Sequence, residues 1–144
     1  MDLNVYNLHA VLCLFGSPKA VSYEPNLRRG VDTSGVLTLD YGEMKAVCLA
    51  AKDCQGPNRC VITGEKGWLE LQGPLSRCVG YKIVLRTGET IQRELEAAGH
   101  RMIPEFLAFQ DMVDNVGQDR AEAFLDVSRS AVEILARTRP YQIL

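Results

Sequence analysis

The sequence contains no C-x-x-C, and neither of its two histidines, His9 and His100, completes a zinc-ligand spacing, so it carries no zinc signature. There is no G-x-G-x-x-G and no G-x-x-x-x-G-K-[ST], which removes the two common phosphate-cradling loops. The absence of G-x-S-x-G and of H-E-x-x-H removes the hydrolase nucleophile elbow and the zinc-protease helix. Positive charge is not in surplus either. The 16 basic residues face 18 acidic ones, a formal net charge of −2, so nothing electrostatic points to nucleic acid or an anionic membrane as partner. No apolar run nears the roughly 20 residues a membrane span requires. An acidic residue at position 2, with no basic stretch before an apolar one, does not read as a secretory signal.

What is present is ordinary globular material. In 144 residues, 47% hydrophobic and 24% charged, a single domain with a sizeable core is expected over residues 1–144. The five cysteines (Cys13, Cys48, Cys54, Cys60 and Cys78) are odd in number and widely spaced. They read as thiols in a reducing cytoplasm rather than as a disulfide framework.

The first sixteen residues read as a helix, with Val5, Leu8, Leu12 and Phe15 at the spacing of an apolar stripe and Gly16 followed by Pro18 as the stop. Asp2 and Tyr6, four apart, project from one face, and a carboxylate beside a phenol is a plausible proton-handling pair. A helix with such residues at its very start reads as a chain entered in the middle. The expected strands then follow: a short one over residues 19–23 ending in a turn at Glu24-Pro25-Asn26, then 32–41, 44–52, 59–63, 68–71, 81–85 and 90–95. From Pro104 the period becomes helical, with Phe106, Leu107, Val113 and Val116 lining one side up to Gly117. A second helix, capped by Asp119, carries Phe124, Val127, Ala131, Ile134 and Leu135 and ends at Pro140. Helix, antiparallel strands, then two helices predicts an α+β fold: one open, mostly antiparallel sheet with helices on one face.

Asp2-Leu-Asn-Val-Tyr-Asn-Leu, Leu14-Phe-Gly-Ser-Pro-Lys19-Ala-Val and Ile62-Thr-Gly-Glu-Lys-Gly67-Trp-Leu, in this order and spacing, resemble the second domain of the glucose–fructose oxidoreductase, inositol dehydrogenase and rhizopine-catabolism (Gfo/Idh/MocA) oxidoreductases. Asp2-Leu-Asn-Val-Tyr-Asn-Leu is similar to that family's Asp-x-Gly-x-His or Asp-x-Gly-x-Tyr helix head. Leu14-Phe-Gly-Ser-Pro-Lys19-Ala-Val matches its exit into the first strand, and Gly30 to Leu39 its second strand. Gly56-Pro-Asn-Arg59 followed by Ile62-Thr-Gly-Glu-Lys-Gly67-Trp-Leu matches its isoleucine-x-Gly-x-x-Gly hairpin. The final helices, with Phe106, Asp126 and Ser128, stand in the corresponding place.

The resemblance implies a C-terminal domain like those of dihydrodipicolinate reductase and glyceraldehyde-3-phosphate dehydrogenase, which binds substrate and forms a homodimer through its open sheet face. It also implies a separate Rossmann domain, absent from this chain, that holds NAD or NADP, and hydride transfer to or from a sugar, polyol or related carbinol. Asp2 then matches the active-site aspartate and Tyr6 the position usually held by histidine, while Asn4 departs from the family's glycine. Lys52, Asp53 and Arg59, flanking the loop after the third strand, are candidates for binding substrate hydroxyls, although a solvated turn accounts for them more simply. The competing reading is a free-standing binding or dimerisation module without catalysis.

Overall fold

A computed structural model of the chain describes residues 4–95, 99–100, 102–115 and 118–138. Its elements run α1 (Asn4–Phe15), β1 (Ala20–Arg28), β2 (Val31–Asp40), β3 (Lys45–Ala51), β4 (Arg59–Gly64), β5 (Gly67–Gln72), a 3-10 turn (Leu75–Arg77), β6 (Gly80–Leu85), β7 (Thr90–Glu94), α2 (Ile103–Asp114) and α3 (Gln118–Arg137). They form two compact units: Met1–Gln55 with Gln118–Leu144, and Gly56–Gly117.

In the first unit β1, β2 and β3 make an antiparallel sheet in that order. The period-two pattern of β2 puts Gly35, Leu37 and Leu39 on one buried face, with Tyr23 and Cys48 beside Leu37 on the flanking strands. Leu8 and Leu12 of α1 and Ala131 of α3 close over that face. Together with Leu37, Leu39 and Cys48 they are the buried apolar core, with Val127, Ile134 and Leu135 packed against it. A fully buried leucine contributes roughly 1.5–3 kcal/mol of transfer energy, so these few side chains carry much of the unit. The helix stops as its sequence dictates, the Gly16 N–H donating back to the Leu12 carbonyl at 2.9 Å. Phe15, last of the expected stripe, is not buried but meets Tyr41 edge to face, with ring centroids 6.2 Å apart.

The end of the first strand is corrected. The first strand does not turn at Glu24-Pro25-Asn26 but runs on to Arg28. Lys19 N–H donates to the Asp40 carbonyl, so even-numbered residues of β2 turn their backbone groups toward β1. Pro25, opposite odd-numbered Gly35, therefore has its missing N–H away from the ladder, where an edge strand tolerates proline. The true reversal is Arg29-Gly30, with φ of 54° and 79°, the left-handed pair that a two-residue hairpin needs.

In the second unit β4, β5, β6 and β7 form a four-stranded antiparallel meander. The fold is α+β with antiparallel strands, as expected, but the strands are dealt into two sheets rather than one. The connection from β3 to β4 carries Gly56-Pro57 and is too long for a tight hairpin. The register places Ile62, Leu69, Ile83 and Ile91 on one rung, with Leu71 and Leu85 on the same face. In α2 the expected stripe forms a helix, yet none of its residues is buried, and Phe106 is 66% exposed. Periodicity shows which side is apolar, not whether the chain covers it. α3 starts two residues earlier than a cap at Asp119 would give, so Asp119 lies inside its first turn rather than capping it. There its charge complements the helix dipole. Val116, Gly117 and Pro140 lie outside the described residues.

Candidate functional site

Tyr6 sits in the first turns of α1 on the side away from Leu8 and Leu12, and is 58% exposed. Its phenol is thus presented outward from a helix whose other side is in the core. Asp2, its expected partner, lies outside the described residues.

The same turn is tied down by two carboxamides that the sequence reading did not value. Asn4 is 1% exposed. Its Nδ2 points to the Gly35 carbonyl at 3.5 Å, and its Oδ1 accepts from Asn7 Nδ2 at 3.0 Å. Asn7 Nδ2 also donates to the Leu49 carbonyl at 3.1 Å. The visible signal was only that asparagine stands at position 4 where glycine was expected.

Lys52 and Asp53 follow the end of β3, where a polar cluster closes one end of the first sheet. Thr33 Oγ1 donates to Asp53 Oδ2 at 2.6 Å and Ser34 Oγ to the same oxygen at 3.3 Å. Asn26 Nδ2 donates to Ser34 Oγ at 3.0 Å, and Tyr23 Oη to Asp32 Oδ2 at 2.8 Å. The Thr33 hydroxyl, first among the causes, holds the Asp53 carboxyl below the usual aspartate value. The Lys52 backbone N–H joins the cluster to the sheet through the Thr33 carbonyl at 2.8 Å. Arg59 opens β4 in the second unit and pairs diagonally across the strands with Glu70 at 3.3 Å.

Among the described residues no group of three or more histidine, cysteine, aspartate or glutamate side chains is placed to hold a metal ion, and no helix is long and apolar enough to cross a membrane. The described polar side chains at the surface of the first unit offer hydroxyl, phenol and carboxylate groups. Trp68 does not form a bare platform; Lys82 Nζ lies 5.8 Å from its ring centroid.

No protein-family model matches the sequence. Over 142 residues, 96% of this chain, it is 31% identical to the uncharacterized oxidoreductase YgjR of Escherichia coli (strain K12). The chain is similar to an oxidoreductase. It spans only 42% of that relative's length. Solved structures repeat the relation. The probable oxidoreductase yhhX matches with a TM-score of 0.69 at 17% identity, over 99% of this chain and 48% of its own. An oxidoreductase from Bacillus cereus matches with a TM-score of 0.65 at 16% identity, over 93% of this chain and 46% of its own. At such identities the likeness is one of fold, and it covers about half of each larger protein.

Proposed function

We propose that this chain is the C-terminal, substrate-binding and dimerisation part of an NAD(P)-dependent oxidoreductase of the Gfo/Idh/MocA type. The reaction is hydride transfer at a CH–OH carbon of a sugar, polyol or related substrate, in the cytoplasm. The observation that carries the reading is the alignment of almost the whole chain with under half of a larger oxidoreductase. The helix-head motif around Tyr6 supports it.

When bound, the nicotinamide takes or gives the hydride; a preceding Rossmann domain would hold it, and no residue of this chain is assigned to it. The work of this chain is to hold the substrate and manage the hydroxyl proton. As a carbinol is oxidised its hydroxyl oxygen must lose a proton, and the Tyr6 phenolate would accept it and become a phenol. A phenol ordinarily titrates near 10, so acting near neutrality requires a neighbouring cation, which the preceding domain would supply as a lysine. Asp2, four residues before Tyr6 in the sequence, is assigned as its carboxylate partner. Lys52, Asp53 and Arg59 are assigned to substrate hydroxyls. Homodimerisation is assigned to the open face of the four-stranded sheet, where Ile62, Leu69, Leu71, Ile83 and Leu85 are half-buried and Ile91 is exposed.

The test is the reading frame upstream of the Met1 codon, followed by assay of the joined protein. A frame of about one domain (roughly 100–150 residues) encoding strand, G-x-G-x-x-G and helix is expected, with NAD(P)-dependent oxidation of a polyol that Tyr6→Phe lowers at least 100-fold in kcat. A stop codon and ribosome-binding site directly before Met1 would instead make the chain a free-standing module. Calorimetry gives an independent check: this chain alone binds neither NADH nor NADPH tighter than about 100 μM, a value within the ordinary range of enzyme affinities. Tighter binding would overturn the division of labour.

A further inference from the structure

The two carboxamides at the head of α1 do more than fill space. Asn4 is the polar side chain among the fully buried described residues, and a buried amide is costly unless its hydrogen bonds are made. Asparagine is also a poor residue for a helix interior, because its side chain competes for backbone partners. Here the competition is turned outward, across to the sheet. Lys52 N–H donates to Thr33 O, so Lys52 and, by alternation, Ala50 face β2, while Leu49 faces the open edge of β3. The carbonyl that Asn7 caps is therefore an edge group with no ladder donor among the described strands. Asn7 shares its amide hydrogens between that carbonyl and Asn4 Oδ1, and Asn4 continues to Gly35 O. The chain of amides reaches both β2 and β3 from one turn of helix.

The apolar contacts of Leu8 and Leu12 fix how deeply α1 sits, but such contacts are non-directional and leave a helix able to roll about its axis. Hydrogen bonds have preferred directions. Tyr6 lies between Asn4 and Asn7, so any roll of this turn carries its phenol sideways. We infer that Asn4 and Asn7 are positioning residues that set the rotation of α1 and so the place of the Tyr6 phenol in the proton-transfer step; this rests on the reading of Tyr6 given above. A misplacement of about 1 Å at a reacting group can cost on the order of 100-fold in rate.

The 144-residue chain with ring-labelled tyrosine tests this by NMR, the Tyr6 resonance being assigned by its loss in Tyr6→Phe. Asn7→Ala and Asn7→Asp should both shift that resonance at temperatures where the chain is folded. The Asn7→Asp shift should shrink on acidification, since only the protonated carboxyl has a hydrogen to give. Asn7→Gln should restore most of the native position. A Tyr6 resonance unmoved in all three variants, with only the melting temperature lowered, would reduce the amides to a structural role and overturn the inference. In the joined oxidoreductase Asn7→Ala should lower kcat at least tenfold with KM for the cofactor within twofold. If Tyr6→Phe leaves kcat unchanged there, the catalytic reading fails, and with it the positioning role, even where the NMR shifts stand. If Tyr6→Phe abolishes turnover while Asn7→Ala does not alter it, the positioning role alone falls.

Discussion

Replacing Gly35 by alanine is the sharpest probe of how the first sheet is built. A Cβ at position 35 would stand 2.5 Å from Tyr23 Oη and 2.6–2.7 Å from two of its ring carbons, so the ring must move by about an ångström to regain ordinary contact distance. The ring cannot swing freely, because its hydroxyl donates to Asp32 at 2.8 Å. Losing a hydrogen bond of this kind costs roughly 1–2 kcal/mol, and overpacking adds about 1–3 kcal/mol. Against this, the backbone of Gly35 is not in the left-handed region, so alanine should recover about 0.5–1 kcal/mol from the unfolded chain. The net expectation is destabilisation by about 2 kcal/mol, or a fall in melting temperature of about 10 °C for a unit of this size. Thermal melts followed by far-ultraviolet circular dichroism would measure it. The decisive comparison is Gly35→Ala in a Tyr23→Ala background, where the obstacle is gone and the same change should be neutral or slightly stabilising. A coupling of about 2 kcal/mol between the two positions is therefore predicted. If Gly35→Ala costs as much without the Tyr23 ring as with it, the steric account is wrong.

Leu8→Ala should cost about 3 kcal/mol, since Leu8 is 0% exposed, whereas Phe106→Ala in the isolated chain should cost under about 1 kcal/mol; equal losses in a denaturant series would contradict the assigned core. Thr33→Val should raise the Asp53 titration midpoint, read by carboxyl-carbon NMR. Because the folded-state midpoint is held low, the Asp53 contribution is present above the ordinary aspartate value of about 3.9 and is lost as pH falls through the lowered one. The variant should lose that acid-sensitive increment, and an unmoved midpoint would show that the Thr33 hydroxyl is not its cause. Alkylation under native conditions should reach exposed Cys13 and Cys54 first and buried Cys48 last. Cys60 should lag behind the exposed pair because burial, and then the nearby Cys78, push its thiol up. Peptide mapping that finds Cys48 modified alongside Cys13 would place α1 or α3 away from the sheet.

Much of the fold was legible because its elements are marked by local chemistry. The alternation of β2, the Gly16 stop and the Gly64-Glu65-Lys66-Gly67 hairpin each depend on a few neighbouring residues. The misread elements depend on partners distant in sequence. Pro25 reads as a breaker until it is known to lie on an edge strand with its nitrogen outward. The stripe of α2 reads as core until the helix is seen without a cover. One sheet became two because the pattern of a strand says nothing about which neighbour it pairs with.

The site was less legible for the same reason, and Asn4 shows why. Read alone, it is a departure from an expected glycine and a weak helix former. Its purpose becomes visible only with Gly35 and Leu49, residues 31 and 42 or more positions away through the amide pair. Asp53 is similar: its carboxylate is held by Thr33 and Ser34 from the middle strand, a pairing that β2–β3 register creates and no local motif announces. The residues that chemistry names most readily, Tyr6 and Asp53, are thus placed by residues that chemistry names least readily. Substitutions at Asn4, Asn7, Thr33 and Gly35 should therefore be as informative about function as substitutions at the reactive groups themselves.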